Sequence, residues 1–366
     1  MSSAASNTKM IDHLAGRDNN LNLIRVIAAS AVLVSHAFPI ALGAGAVEPF
    51  DHIAGKSLGW LAVAIFFSLS GLLIANSFDR GNGWARFVVA RALRLFPALV
   101  VVLSLTVIVG AAFTTLPILA YFGSTETLSY IPRNLSLAFL QYPLPGVFDS
   151  NIYPNAINGS LWTLFYEVGC YTLLFIAGVM GVLRYKWLVS ALVATLGLAF
   201  IYCLFIEPPA GPIAMRIYTL ISLGFPFSLG VLVFVWRAKF AFDGRTALIL
   251  WVVCAFALNT VLTPFFFLIA LTYSVGWFGF VPKGHWLRYN RVGDYSYGIY
   301  IYAFPVQQMM SALFPDAGPY GNMALSIPPT FILAILSWHL IEERALAQIK
   351  PLAAKLQKAP PKPASV

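Results

Sequence analysis

Residues 22–42 read NLIRVIAASAVLVSHAFPIAL, a run in which only Arg25 and His36 can carry charge. As a helix it is long enough to cross about 30 Å of hydrocarbon. No apolar leader with a small-residue cleavage site stands before it, so it is read as a retained membrane helix rather than a signal peptide.

Working outward, comparable runs fall near 57–78, 94–116, 161–182, 187–206, 215–236, 263–281, 295–314 and 325–345. A shorter run, 246–260, is followed by Leu262-Thr263-Pro264, which reads as a tight turn. Counting it gives ten spans; making it re-entrant gives nine. Of 366 residues, 59% are apolar and only 10% charged, where a soluble domain carries about 25% charged. That much apolar side chain cannot be hidden in one globule, so lipid is part of the solvent.

The formal charge of +9 would suggest nucleic acid on a soluble protein. Here it sets orientation instead. With the N-terminus inside, the inside segments hold nineteen Lys and Arg residues and the outside segments only Lys56, Arg133 and Arg216. Dropping the seventh span, 246–260, would reverse the later loops and spoil this balance, so ten is kept. The expected fold is an all-α polytopic transmembrane bundle of about ten spans with both termini cytoplasmic. It divides into an N-terminal segment 1–21, a membrane domain 22–345 and a Lys/Pro/Ala-rich tail 346–366 expected to be disordered. The one long connection, 117–160, is placed outside, and long loops are often functional. Cys170, Cys203 and Cys254 sit in apolar runs without metal-ligand spacing and read as buried small hydrophobes. No internal repeat is visible, which weakens a transporter built from inverted halves.

Ionisable groups within spans are functional candidates by default. Arg25 and His36 are eleven residues apart, three turns plus about 20°, so they share a face about 16 Å apart along the axis. The plainer alternatives are snorkelling for Arg25 and an interhelical hydrogen bond for His36. Glu167 lies as deep in the fourth span as His36 in the first, about 9 Å below the outer surface, which suits a base and its orienting carboxylate. A structural ion pair is the alternative. Trp162 and Tyr166 beside it fit an interfacial belt. Arg91 and Arg94 share a face at the inner surface, where they either hold phosphate or anchor the helix. His339, Glu342 and Glu343 close the last span on one face, at the level of Arg25. An ion pair to Arg25 is the leading reading there.

Five segments carry a family resemblance. Arg25 and His36 match an Arg-x10-His signature, and Phe66-Phe67-Ser68-Leu69-Ser70-Gly71 a Phe-Phe-x-x-Ser-Gly element. Arg91 and Arg94 match an Arg-x-x-Arg. Ser160-Leu161-Trp162-Thr163-Leu164-Phe165-Tyr166-Glu167 is similar to Ser-Leu-Trp-x-Leu-x-x-Glu, and Gly293-Asp294-Tyr295-Ser296-Tyr297 to a Gly-x-x-Ser-Tyr start of a late span. In this order, from residue 21 to about 345, they resemble the acyltransferase family 3 membrane proteins, which O-acylate surface sugars. Two positions depart from that pattern. Phe304 stands where a histidine is expected and Ala345 where a proline is common, which leaves His36 as the main catalytic candidate.

The resemblance implies a multi-pass protein of the cell inner membrane. Its donor is a cytoplasmic acyl-CoA, by default acetyl-CoA, and its acceptor a polysaccharide or lipid-linked carbohydrate. No metal and no nucleic acid are expected. Arg25, Arg91 and Arg94 would hold the CoA phosphates, and His36, oriented by Glu167, would act as general base or acyl relay. Ser70 and Gly71 would allow close approach or polarise the thioester, with small-residue packing equally open. Asp294 would hold Arg291 or a CoA-facing group. The rival reading is a transporter or flippase for a lipid-linked saccharide.

Overall fold

A computed structural model describes residues 18–80 and 83–357. The segments 1–17 and 358–366, parts of the expected N-terminal segment and tail, lie outside the described residues. The helices are α1 (Leu21–Leu42), α2 (Pro49–Ala54), α3 (Leu58–Asp79), α4 (Gly83–Gly110), α5 (Ile118–Gly123), α6 (Thr125–Leu135), α7 (Trp162–Val179), α8 (Lys186–Leu204), α9 (Pro212–Val235), α10 (Gly244–Phe256), α11 (Thr263–Phe280), α12 (Ser296–Leu313), α13 (Gly318–Ser337), α14 (Glu343–Ala347) and α15 (Ile349–Gln357). Among the described residues, β pairing is confined to one isolated bridge, Thr114 to Val147.

Among the described residues, eight helical segments are long and apolar enough to cross a membrane, so the protein is an all-α polytopic bundle. The other two expected spans are α10, which has 13 residues, and α12, which has 18 residues but falls outside the apolar set. Tyr300, Tyr302, Gln307 and Gln308 on α12 are buried, so its polar groups face protein. A helix in lipid tolerates such groups when they point inward. The expected tail is partly helical: α15 forms, and its Ala353 is buried.

The chain divides into two compact units. The first holds residues up to His36, 47–76 and 162–296. Its tightest crossing is α3 on α9. A Cβ on Gly71 would lie 1.9 Å from the Phe227 carbonyl oxygen, and one on Gly230 would lie 2.1 Å from that of Ser68. Lipid offers no hydrophobic push between helices, so close backbone approach through small residues supplies the attraction. Gly71 therefore serves packing, and half-buried Ser70 sits beside it. Gly71→Ala has no room for its methyl group. It should cost about 1–3 kcal/mol or more, read as a lower thermal midpoint of the detergent-solubilised protein. Ser68 and Thr272 share a hydrogen bond of 2.9 Å between α3 and α11. Phe200, Phe225 and Phe265 stack in sequence between α8, α9 and α11.

The second unit holds residues 37–46, 77–161 and 297–357 of the described chain. Gly298 lets α12 approach α13, since a Cβ there would be 2.8 Å from the Ala334 Cα. The buried face of α13 is mostly polar: Asn322, Ser326, Thr330 and Ser337. Asn322 exchanges hydrogen bonds with Gln307 on α12. Such interhelical bonds hold membrane helices in register.

The long connection between α4 and α7 carries α5 and α6 and is tied down by side-chain hydrogen bonds. Tyr121 donates from its hydroxyl to the Val107 carbonyl, one of the orphan acceptors at the end of α4. Gly110 leaves room for that hydroxyl. Burial pushes the Tyr121 phenol up to about 12, so it stays a donor. Asn158 donates to the Ile301 carbonyl and Tyr300 to that of Ser160. Gln308 donates to the carbonyls of both Tyr153 and Ala156. A buried carbonyl without a partner costs about 1–3 kcal/mol. Gln308→Leu should therefore destabilise by that order, and proteolytic cleavage within 140–160 should become faster.

Candidate active site

Arg25 and His36 lie on α1 in the first unit, on one face and about 16 Å apart along the axis. His36 is half-buried, and its Nδ1 is shut off from solvent by protein. Arg25 is paired 3.0 Å from the carboxylate of Asp294. Asp294 Oδ1 also accepts from the Ser296 hydroxyl and backbone amide, capping the start of α12. One aspartate thus fixes both the α12 entry and the Arg25 guanidinium. This differs from the expected pairing of Arg25 with the carboxylates of the last span.

Glu167 lies on α7 in the same unit and accepts a hydrogen bond from the Tyr171 hydroxyl one turn on. Tyr171 packs in turn against Phe227 of α9. The carboxylate is therefore held in a fixed orientation. Trp162, 37% exposed, meets Tyr166 edge-on at 5.9 Å. An exposed ring at the mouth of a span fits an interfacial anchor, while Tyr166 is buried.

Arg91 and Arg94 lie on α4 in the second unit. Arg94 is 3.6 Å from Glu342, whose side chain is 2% exposed. Its guanidinium is 5.9 Å from the centres of the Tyr297 and Trp338 rings. The Ser337 hydroxyl donates to the other Glu342 oxygen. The spacing of His339, Glu342 and Glu343 predicts one shared face, and the structure corrects this. A π-helical turn over Trp338–Glu342 widens the helix by a residue. Glu342 turns inward, while His339 and Glu343 pair at 3.5 Å on the exposed side. That rotation was not legible from a periodicity of 3.6.

Phe304, at the position where a histidine was expected, is buried. Its ring fills the space a Cβ on Gly159 would take and meets Tyr153 edge-on. No proton-transfer group stands at this position. Ala345 continues α14, as a proline would not easily allow.

The family model described as an acyltransferase domain, of acyltransferase family 3, matches residues 18–341. The chain belongs to acyltransferase family 3. Two curated relatives cover almost all of this acyltransferase. One is named O-acetyl transferase, from Shigella phage Sf6, 30% identical over 92% of this chain and 98% of its own. The other is named Nodulation protein 10, from Rhizobium leguminosarum bv. viciae, 30% identical over 94% of this chain and 97% of its own. No solved structure matches the chain. The family assignment makes the protein a multi-pass membrane acyltransferase, and the residues that sequence reading singled out are positioned within it as described above. What that reading missed is the pairing of Arg94 with Glu342 and of Arg25 with Asp294.

Proposed function

We propose that this acyltransferase moves an acyl group, acetyl by default, from cytoplasmic acyl-CoA to a hydroxyl of a surface or lipid-linked carbohydrate at the inner membrane. The observation that carries the reading is the pair Arg25 and His36 on one face of α1: a cation near one end of the helix and a base about 16 Å further on. A phosphate-bearing donor with a long arm and a reactive thioester fits those two stations. The name of the phage relative supports acetyl as the group, and both relatives are covered nearly end to end.

In the proposed chemistry the sugar hydroxyl oxygen attacks the thioester carbonyl carbon. Its proton passes to His36. The C–S bond breaks, the proton goes on to the departing thiolate, and a sugar ester and free CoA result. His36 acts either as general base or as the carrier of the acyl group. Glu167, held by Tyr171, sets the imidazole orientation. Arg25 holds donor phosphate in the first unit; Arg91 and Arg94, on the second unit, are the phosphate contacts that the family resemblance implies there. Arg25 and Arg94 each already face a carboxylate, so donor binding there exchanges one anion for another.

The test is the ester content of surface glycans from cells with and without the protein, by mass spectrometry. The expected result is loss of the acetyl ester in the deletion strain. An unchanged ester pattern with undecorated glycan accumulating inside the cell would replace this reading with a transporter.

A further inference from the structure

The first unit holds a concave feature. It lies where the segments 50–60, 204 and 258–267 meet, with a volume of about 440 Å³. That is within the roughly 300–1,000 Å³ of small-ligand sites. All of these segments join spans at the end opposite the Lys/Arg-rich connections of this unit.

One wall is aromatic and built from below. Trp251 donates its indole N–H to the Ser274 hydroxyl at 2.9 Å. Phe267 stands edge-on against Trp251 with ring centres 5.2 Å apart, and Trp60 lies 5.8 Å from Phe267. Trp60 and Phe267 line the cavity. The rim carries Asp51, Lys56 and Asn259. Among the described residues these three make no side-chain hydrogen bond or ion pair, whereas the hydroxyls of Thr260 and Thr263 are spent on the Ala257 carbonyl. Asn259 has φ 64°, a left-handed conformation that holds its amide at the tip of the turn.

The lining selects among ligand classes. A hydrocarbon chain has no use for a carboxylate, an ammonium and an amide. A phosphate would be repelled by Asp51. A sugar ring is different: each hydroxyl both donates and accepts, matching the acceptor Asp51, the donor Lys56 and the bifunctional Asn259. Its C–H face suits a flat aromatic wall. The helix that carries Trp60 also crosses the helix that carries the proposed base. A Cβ on Gly59 would lie 2.9 Å from the Ser35 hydroxyl, so the crossing of α1 and α3 stands one residue from His36 and one from Trp60.

We infer that this cavity is the subsite for the neutral sugar ring of the carbohydrate acceptor, with Trp60 as its stacking face and Asp51, Lys56 and Asn259 as its hydroxyl contacts. The inference rests on the acyl-transfer reading above.

The test uses the full chain in its own cells, with surface-glycan ester content as readout and His36→Ala run beside every variant. Asn259→Gly with Lys56→Ala removes two rim contacts. It spares the fold, because glycine suits φ 64° and Lys56 is exposed. Trp60→Tyr keeps a flat ring, whereas Trp60→Leu keeps only apolar bulk. The expected result is an ester drop of roughly tenfold in the rim variant, equal to about 1.4 kcal/mol of acceptor affinity, with activity kept by Trp60→Tyr and lost by Trp60→Leu. Full ester content in the rim variant while His36→Ala loses it overturns the subsite alone. Full content in both overturns acyl transfer through His36, and the subsite with it. Equal activity of Trp60→Leu and Trp60→Tyr means a hydrocarbon occupant and also overturns the inference.

Discussion

His36→Ala is expected to lower acyl transfer by about 10²–10⁴-fold, the usual contribution of a positioned general base. The sugar hydroxyl is a poor nucleophile until a base takes its proton, and Phe304 removes the other position where a histidine was expected. The histidine is half-buried on a helix whose neighbouring residues Ser35, Ala37 and Phe38 are all buried. Truncation should therefore leave α1 in place. Expression level and thermal midpoint should stay close to wild type, while the ester signal disappears. Glu167→Gln keeps a hydrogen-bond acceptor for Tyr171 but loses the charge. As a positioning residue it should lower kcat by less than His36→Ala and leave the acceptor KM nearly unchanged. Near wild-type transfer in His36→Ala would show that the proton goes elsewhere.

The second large effect is structural. Glu342→Ala should destabilise the protein by about 3–5 kcal/mol, because it strands the Arg94 guanidinium in a site from which water is nearly excluded. The side chains of Arg94 and Glu342 are only 13% and 2% exposed. Removing both charges together is a different matter. In Arg94→Met with Glu342→Met, the desolvation cost of both ions vanishes and stability should return to near wild type. This double variant also separates two roles. If Arg94 only staples α4 to the last span, the double variant transfers acyl groups normally. If Arg94 also holds donor phosphate, the variant is stable but needs more acyl-CoA, with a raised donor KM and an unchanged acceptor KM. Thermal unfolding in detergent gives the first answer and donor titration in membranes the second. A single Glu342→Ala as stable as wild type would mean that the ion pair carries no net weight.

Much of this protein was determined by local sequence alone. Spans of about twenty apolar residues force helices, because lipid offers no partner for a backbone amide. The share of one face by Arg25 and His36 follows from helical geometry, which does not depend on what packs around α1. The five family segments were legible because each is short and contiguous. Span number was less secure, since α10 is short and α12 carries polar residues whose burial no single-helix property reveals.

Only the tertiary structure decided who pairs with whom. Arg25 meets Asp294 and Arg94 meets Glu342, each far along the chain, and the level of a residue in the membrane does not say which helix lies next to it. The wide turn over Trp338–Glu342 overrode the face that regular periodicity assigns. Gly71 read equally as packing or chemistry until the Phe227 carbonyl was found against it. The aromatic cavity at Trp60 and Asn259 joins loops separated by about two hundred residues. The physical reason is common to all four. Helix formation is settled by contacts within a few residues, whereas charge pairing, close crossings and cavities depend on the side-by-side order of helices, which the sequence of spans does not encode locally.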